Sequence, residues 1–108
     1  MPTELPLHPL INKEDSPHYD SSGKETTIER FERDYTVRDL LAWATITEAK
    51  YNDPGRANKG EPQKDLRKAL SYKNYAATLR SVIDKNVETK DMSAQMAYKT
   101  LQIKWRYQ

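Results

Sequence analysis

The sequence predicts an all-α domain, a small bundle of three to four helices with an extended, proline-rich N-terminal arm. Three observations predict it. From Ile28 onward, apolar residues recur at steps of three and four, without the period-two alternation of a strand. Four of the six prolines (Pro2, Pro6, Pro9 and Pro17) fall before residue 25, where periodicity is lacking. Stretches rich in turn-forming residues separate the periodic segments, most clearly "NDPGRANKGEP" at 52–62.

Residues 1–24 read as the extended arm, with Leu5, Leu7, Leu10 and Ile11 as its apolar anchors, and residues 25–108 as a single helical domain. "TTIERFERD" starts the domain as a short helix. Ile28 and Phe31 share one face, and Glu29, Arg30 and Arg33 face out. Thr36 is the expected N-cap of a helix over 37–51, with Asp39 at the capping-box position. Val37, Leu40, Leu41, Ala44 and Ala49 form its stripe, and Trp43 widens it.

Asp53-Pro54-Gly55 is a turn, and Pro62 suits the first position of a helix over 62–84. Its apolar face is Leu66, Ala69, Leu70, Ala76, Ala77, Leu79, Val82 and Ile83, extended by Tyr72 and Tyr75. Lys64, Arg67, Lys68, Lys73 and Arg80 form the outer face. "KNVETKD" breaks the pattern. A last helix over 91–106 places Ala94, Ala97, Tyr98, Leu101 and Trp105 on one face.

Composition excludes several classes. The chain has 108 residues, 36% of them apolar, with a mean hydropathy of −0.99. That is one domain with a small core. The absence of cysteine rules out disulfides, a thiol nucleophile and a cysteine-ligated zinc site. Two well-separated histidines argue against a structural metal site. No apolar run reaches the roughly 20 residues that span a bilayer, and the N-terminus lacks a signal pattern. The expectation is a cytoplasmic protein without membrane contact.

The net charge of +2 hides an asymmetry: residues 1–49 carry five basic and ten acidic side chains, residues 50–108 thirteen and six. A basic half attracts nucleotides, nucleic acid or an acidic partner. Pairing with the acidic half, within the chain or across a homo-oligomer, is the simpler reading, and nucleic acid is the less favoured partner.

No phosphate-binding P-loop, dinucleotide fingerprint or nucleophile elbow is present. The E-x-x-E pair Glu29 and Glu32 reads as solvated surface, because Arg30 and Arg33 interleave and no second carboxylate pair matches it. "GRANKG" sets Arg56 and Lys59 between two glycines, just before a basic helix that carries Lys64 and Lys68. Backbone N–H groups and a helix N-terminus favour an anion there, and the basic side chains supply counter-charge. Asp65 either compensates the helix dipole or orients a substrate or Mg²⁺. Tyr51, Tyr72 and Tyr75 either stack on a base or pack. His18, in "DSPHYDSSGKE", is either a solvated group or a proton carrier near neutral pH.

In order along the chain, "SPHY" at 16–19, Gly23, Glu25, Lys50-Tyr51, Arg56, Lys59-Gly60 and "DLRKALSY" at 65–72 resemble the phage-encoded SaV-like family of unknown function, many of whose members carry the label nucleotide kinase. The likeness covers about residues 14–79, with the last helix outside it. The chain departs from the family pattern at Ile46-Thr47, where the family has Gly-Asn. It also carries its Arg two positions later, behind Asp53-Pro54. The resemblance implies a phage or prophage protein in the host cytoplasm, binding a nucleotide or another phosphate-bearing small molecule with Mg²⁺. Asp65, Glu25 and His18 take the catalytic positions. Tyr19, Lys50, Tyr51, Arg56, Lys59, Lys68 and Tyr72 take the ligand and phosphate positions. The alternative expectation is a non-catalytic module that sequesters a nucleotide or binds a host protein.

Overall fold

A computed structural model describes residues 5–10, 26–53, 55 and 62–107. Within them the chain forms four α-helices: α1 (Thr27–Asp34), α2 (Val37–Tyr51), α3 (Pro62–Lys85) and α4 (Ala94–Leu101). A 3₁₀ turn, Val87–Asp91, links the last two. None of these helices is long and apolar enough to cross a membrane.

Local chemistry explains the helix starts. Thr26 caps α1: its Oγ1 accepts from Glu29 N–H at 3.1 Å, and the Glu29 carboxylate accepts from Thr26 N–H at 3.3 Å. Thr36 and Asp39 repeat this capping box at α2. Ser93 caps α4 by accepting from Met96 N–H at 3.1 Å. Backbone bonds from Val37 N–H to Met92 O (2.9 Å) and from Ala94 N–H to Tyr35 O (3.3 Å) hold the starts of α2 and α4 side by side. Thr36→Ala is expected to lower the free energy of unfolding by about 1 kcal/mol, the usual worth of an N-cap. Urea denaturation with an unchanged m-value would register it; no change would remove Thr36 from the list of contributors.

Helices α2 and α3 make the main packing pair. Val37, Leu40 and Ala44 face Tyr72, Tyr75, Ala76, Leu79 and Val82, and Ile28, Ala94, Ala97 and Tyr98 close the core. Burying a leucine or valine here stabilises the fold by about 1.5–3 kcal/mol. The stripe expected of α3 needs correction at its start. Leu66 and Leu70 are 62% and 57% exposed, and no residue of the helix is buried before Ala69. Ala77 and Ala49 also face outward. Tyr72 and Tyr75, expected at the edge of that face, are themselves buried in the core.

The last helix is shorter than the expected 91–106. It ends at Leu101, where Gln102 adopts φ 59°, ψ 36°. Ile103 N–H returns to Tyr98 O at 2.8 Å and Gln102 N–H to Lys99 O at 3.2 Å, the two bonds of a Schellman ending made here without glycine. The chain then turns back along the N-terminal segment. His8 N–H donates to Arg106 O and Arg106 N–H to Pro6 O, both at 2.8 Å, a short parallel pairing of Leu7 with Arg106. Residues 5–10 thus lie against the body, with His8 and Leu10 buried and Leu5 and Leu7 exposed.

Candidate functional site

Two places concentrate chemistry. The first holds most of the predicted ligand residues that the structure describes. Lys50 and Tyr51 end α2, and Lys68 and Tyr72 lie one turn apart on α3. Lys50 Nζ lies 5.4 Å and Lys68 Nζ 5.3 Å from the centroid of the Tyr51 ring. That ring stacks on Tyr72 at 6.0 Å with an 18° tilt, and Tyr72 meets Trp43 edge-on at 5.3 Å. Two ammonium groups from different helices therefore flank one aromatic stack. Each gains about 0.5–1 kcal/mol from the ring face, as exposed cation–π pairs do. Tyr72 is buried while Lys50 is exposed, so the stack is anchored in the core and its charged rim is wet.

Asp65 stands three residues before Lys68 on α3, partly buried, on the same helical face. The predicted His18, Tyr19, Glu25, Arg56 and Lys59 lie outside the described residues. Among the described residues, no group of three or more acidic or histidine side chains is arranged to hold a metal ion.

The second place was not foreseen. Glu32 is not on a solvated surface; it is 1% exposed and sits at the centre of the molecule's polar interior. Four side chains donate to its carboxylate. His8 Nε2 (3.0 Å), Tyr75 OH (2.6 Å) and Tyr98 OH (2.6 Å) reach Oε2. Tyr107 OH reaches Oε1 at 2.7 Å. These donors come from the N-terminal segment, α3, α4 and the C-terminal segment. One carboxylate therefore ties together parts of the chain up to 75 residues apart.

The hydrogen bonds assign the protonation states. Leu10 N–H donates to His8 Nδ1 at 3.1 Å, so Nδ1 carries no proton and Nε2 carries the one that points at Glu32. Glu32 accepts all four bonds. Burial pushes the Glu32 carboxyl toward its neutral form, but the hydrogen bond and electrostatic pull of His8, with the bonds from Tyr107 and Tyr75, hold its pKa below the usual value. Rings close the surroundings: His8 stacks on Tyr107 at 5.0 Å and meets Trp105 edge-on at 5.6 Å. Three donors crowd Oε2, a fourth takes Oε1, and the carboxylate has no exposed face through which a substrate or a metal ion could reach it. Its chemistry is structural.

The sequence carried one trace of this hub. Glu32 follows Ile28 by four residues, which puts it on the inward face of α1. Nothing in the spacing marked His8 or the three tyrosines as its partners.

No family model, no curated protein and no solved structure matches the chain.

Proposed function

We propose that the protein binds a nucleotide, or a similarly phosphate-bearing small molecule, where the C-terminus of α2 meets the first half of α3. The observation that supports this is the convergence of Lys50 and Lys68 on the Tyr51–Tyr72 stack. A base stacks on an aromatic face with about 1–3 kcal/mol, and ammonium groups beside that face pair with phosphate oxygens. By sequence, Arg56 and Lys59 belong to the connection between these same two helices and add cationic side chains to it. Asp65 is the carboxylate that would meet a Mg²⁺ ion carried in by the phosphates. The resemblance to the phage family adds a phage or prophage setting and phosphoryl transfer to a deoxynucleoside monophosphate as the class of reaction. Binding alone is enough for the sequestering alternative.

Thermal unfolding with nucleoside mono-, di- and triphosphates, with and without Mg²⁺, tests the reading. A ligand at a hundredfold excess over its Kd stabilises the folded state by about 2.7 kcal/mol. The expected result is a rise in Tm with at least one nucleotide, lost in the Lys50→Ala, Lys68→Ala double variant. Turnover of the nucleotide in the same samples separates catalysis from sequestration. No rise with any nucleotide, or an undiminished rise in the double variant, discards the site.

A further inference from the structure

A cleft of about 480 Å³ opens between α1 and α2, lined by Phe31, Tyr35, Asp39, Leu40 and Trp43; Trp43 is its link to Tyr72 of the lysine–tyrosine stack. That volume falls in the range of small-molecule sites. Among the described lining residues, Phe31, Tyr35 and Trp43 are aromatic, and Phe31 meets each of the other two at right angles. Phe31 and Tyr35 lie 5.9 Å apart at 86°, and Phe31 and Trp43 lie 5.7 Å apart at 88°. Tyr35 is half exposed in the short link between the helices, and Leu40 floors the cleft from the core.

Among the described lining residues, Asp39 is the charged one. Its Oδ2 accepts the long bond from Thr36 N–H at 3.4 Å, which leaves Oδ1 outside the capping box. Neighbouring guanidinium groups already have partners: Arg38 pairs with Asp91 at 2.9 Å and Arg33 with Asp34 at 3.0 Å. Arg30 lies over the Phe31 ring at 5.8 Å. Ring faces carry negative quadrupole potential, and a carboxylate at the edge adds a full negative charge. Such walls suit a cation whose charge is spread over alkyl groups: its methyls fill apolar space, and it needs no hydrogen-bond acceptors.

We propose that this cleft binds a small alkylated ammonium ion, of the choline or methylated-amine class. The cationic head sits among Phe31, Tyr35 and Trp43, with Asp39 as counter-ion.

The test compares choline with 3,3-dimethylbutan-1-ol, which has the same shape and no charge, by calorimetry at matched ionic strength. Choline is expected to bind about tenfold more tightly than the alcohol, the size of a partly desolvated cation–π contribution. Asp39→Asn keeps an acceptor for the Thr36 N–H and removes the charge. It is expected to weaken choline severalfold and leave the alcohol unchanged. Tyr35→Leu alters an exposed position, so the fold is expected to persist by circular dichroism while choline affinity falls. The Lys50→Ala, Lys68→Ala double variant is expected to bind choline normally, which separates this site from the nucleotide reading. Equal affinity for the alcohol, no choline binding at tens of millimolar, or unchanged binding in both cleft variants would overturn the proposal.

Discussion

Replacing Glu32 with alanine is expected to lower the free energy of unfolding by about 3–5 kcal/mol, the cost of removing one partner from a buried charged network. The hydrogen-bond inventory shows why. The substitution strands the His8 N–H and the phenols of Tyr75, Tyr98 and Tyr107. A buried donor left without a partner costs about 1–3 kcal/mol. Water entering the new cavity recovers part of that for the partly exposed Tyr107, and less for Tyr75, which is 1% exposed. Domains of this size are stable by only about 5–15 kcal/mol, so a large share of the fold's stability rests on this residue. Glu32→Gln keeps the shape and one acceptor oxygen, but its NH₂ group points donors at donors. Its expected cost is smaller, because no cavity opens. Tyr75→Phe removes a single donor and is expected to cost about 1–2 kcal/mol. Equilibrium denaturation of the three variants gives the order Ala, then Gln, then Phe. A Glu32→Ala cost under about 1 kcal/mol would mean that the network relaxes around water and does not hold the segments together.

The hub also shows where sequence reading reaches its limit. The cap of α2, the start of α3 at Pro62 and the break that begins at Lys85 were legible, because each depends on residues within four positions of one another. In the sequence, Lys50, Tyr51, Lys68 and Tyr72 are joined as a set only by the family resemblance; the two pairs flank one interhelical connection, and the packing of α2 on α3 brings them into contact. Glu32 was not legible. Its neighbours in sequence, Phe31 and Arg33, send opposite signals, and its partners are 24 to 75 residues away. The spacing from Leu101 to Trp105 mimics a continuing helix, and Gln102 gives no glycine signal for the left-handed turn that ends it. Leu66 and Leu70 keep helical spacing on α3, where Ala69, Tyr72 and Tyr75 take the core positions.

The same network sets how stability should vary with pH, and the larger effect lies on the alkaline side. An unfolded tyrosine titrates near pH 10. In the fold, burial first, and then the charges and hydrogen bonds of the cluster around Glu32, raise the pKa values of Tyr75 and Tyr98 far above that. Tyr107 moves in the same direction, again chiefly through burial and Glu32. A phenol whose folded pKa is raised contributes stability that is fully present below pH 10 and is lost as the pH rises further. There the unfolded chain releases protons that the folded one keeps, so each such phenol lowers the stability by roughly 1.4 kcal/mol per pH unit. Tyr75 and Tyr98 together make that slope steep. On the acid side the sign is opposite. The lowered pKa of Glu32 contributes stability above its ordinary value of 4.5, lost as the pH falls through the folded value. The expected profile is a plateau from about pH 5 to 10 with a cooperative collapse above about pH 11. The phenolate absorbance of the buried tyrosines should then appear together with the loss of helical circular dichroism. Glu32→Gln is expected to flatten the acid limb and leave the burial part of the alkaline limb in place. Smooth ionisation of all seven tyrosines near pH 10 with the helices intact would show that Tyr75 and Tyr98 are not sealed against Glu32.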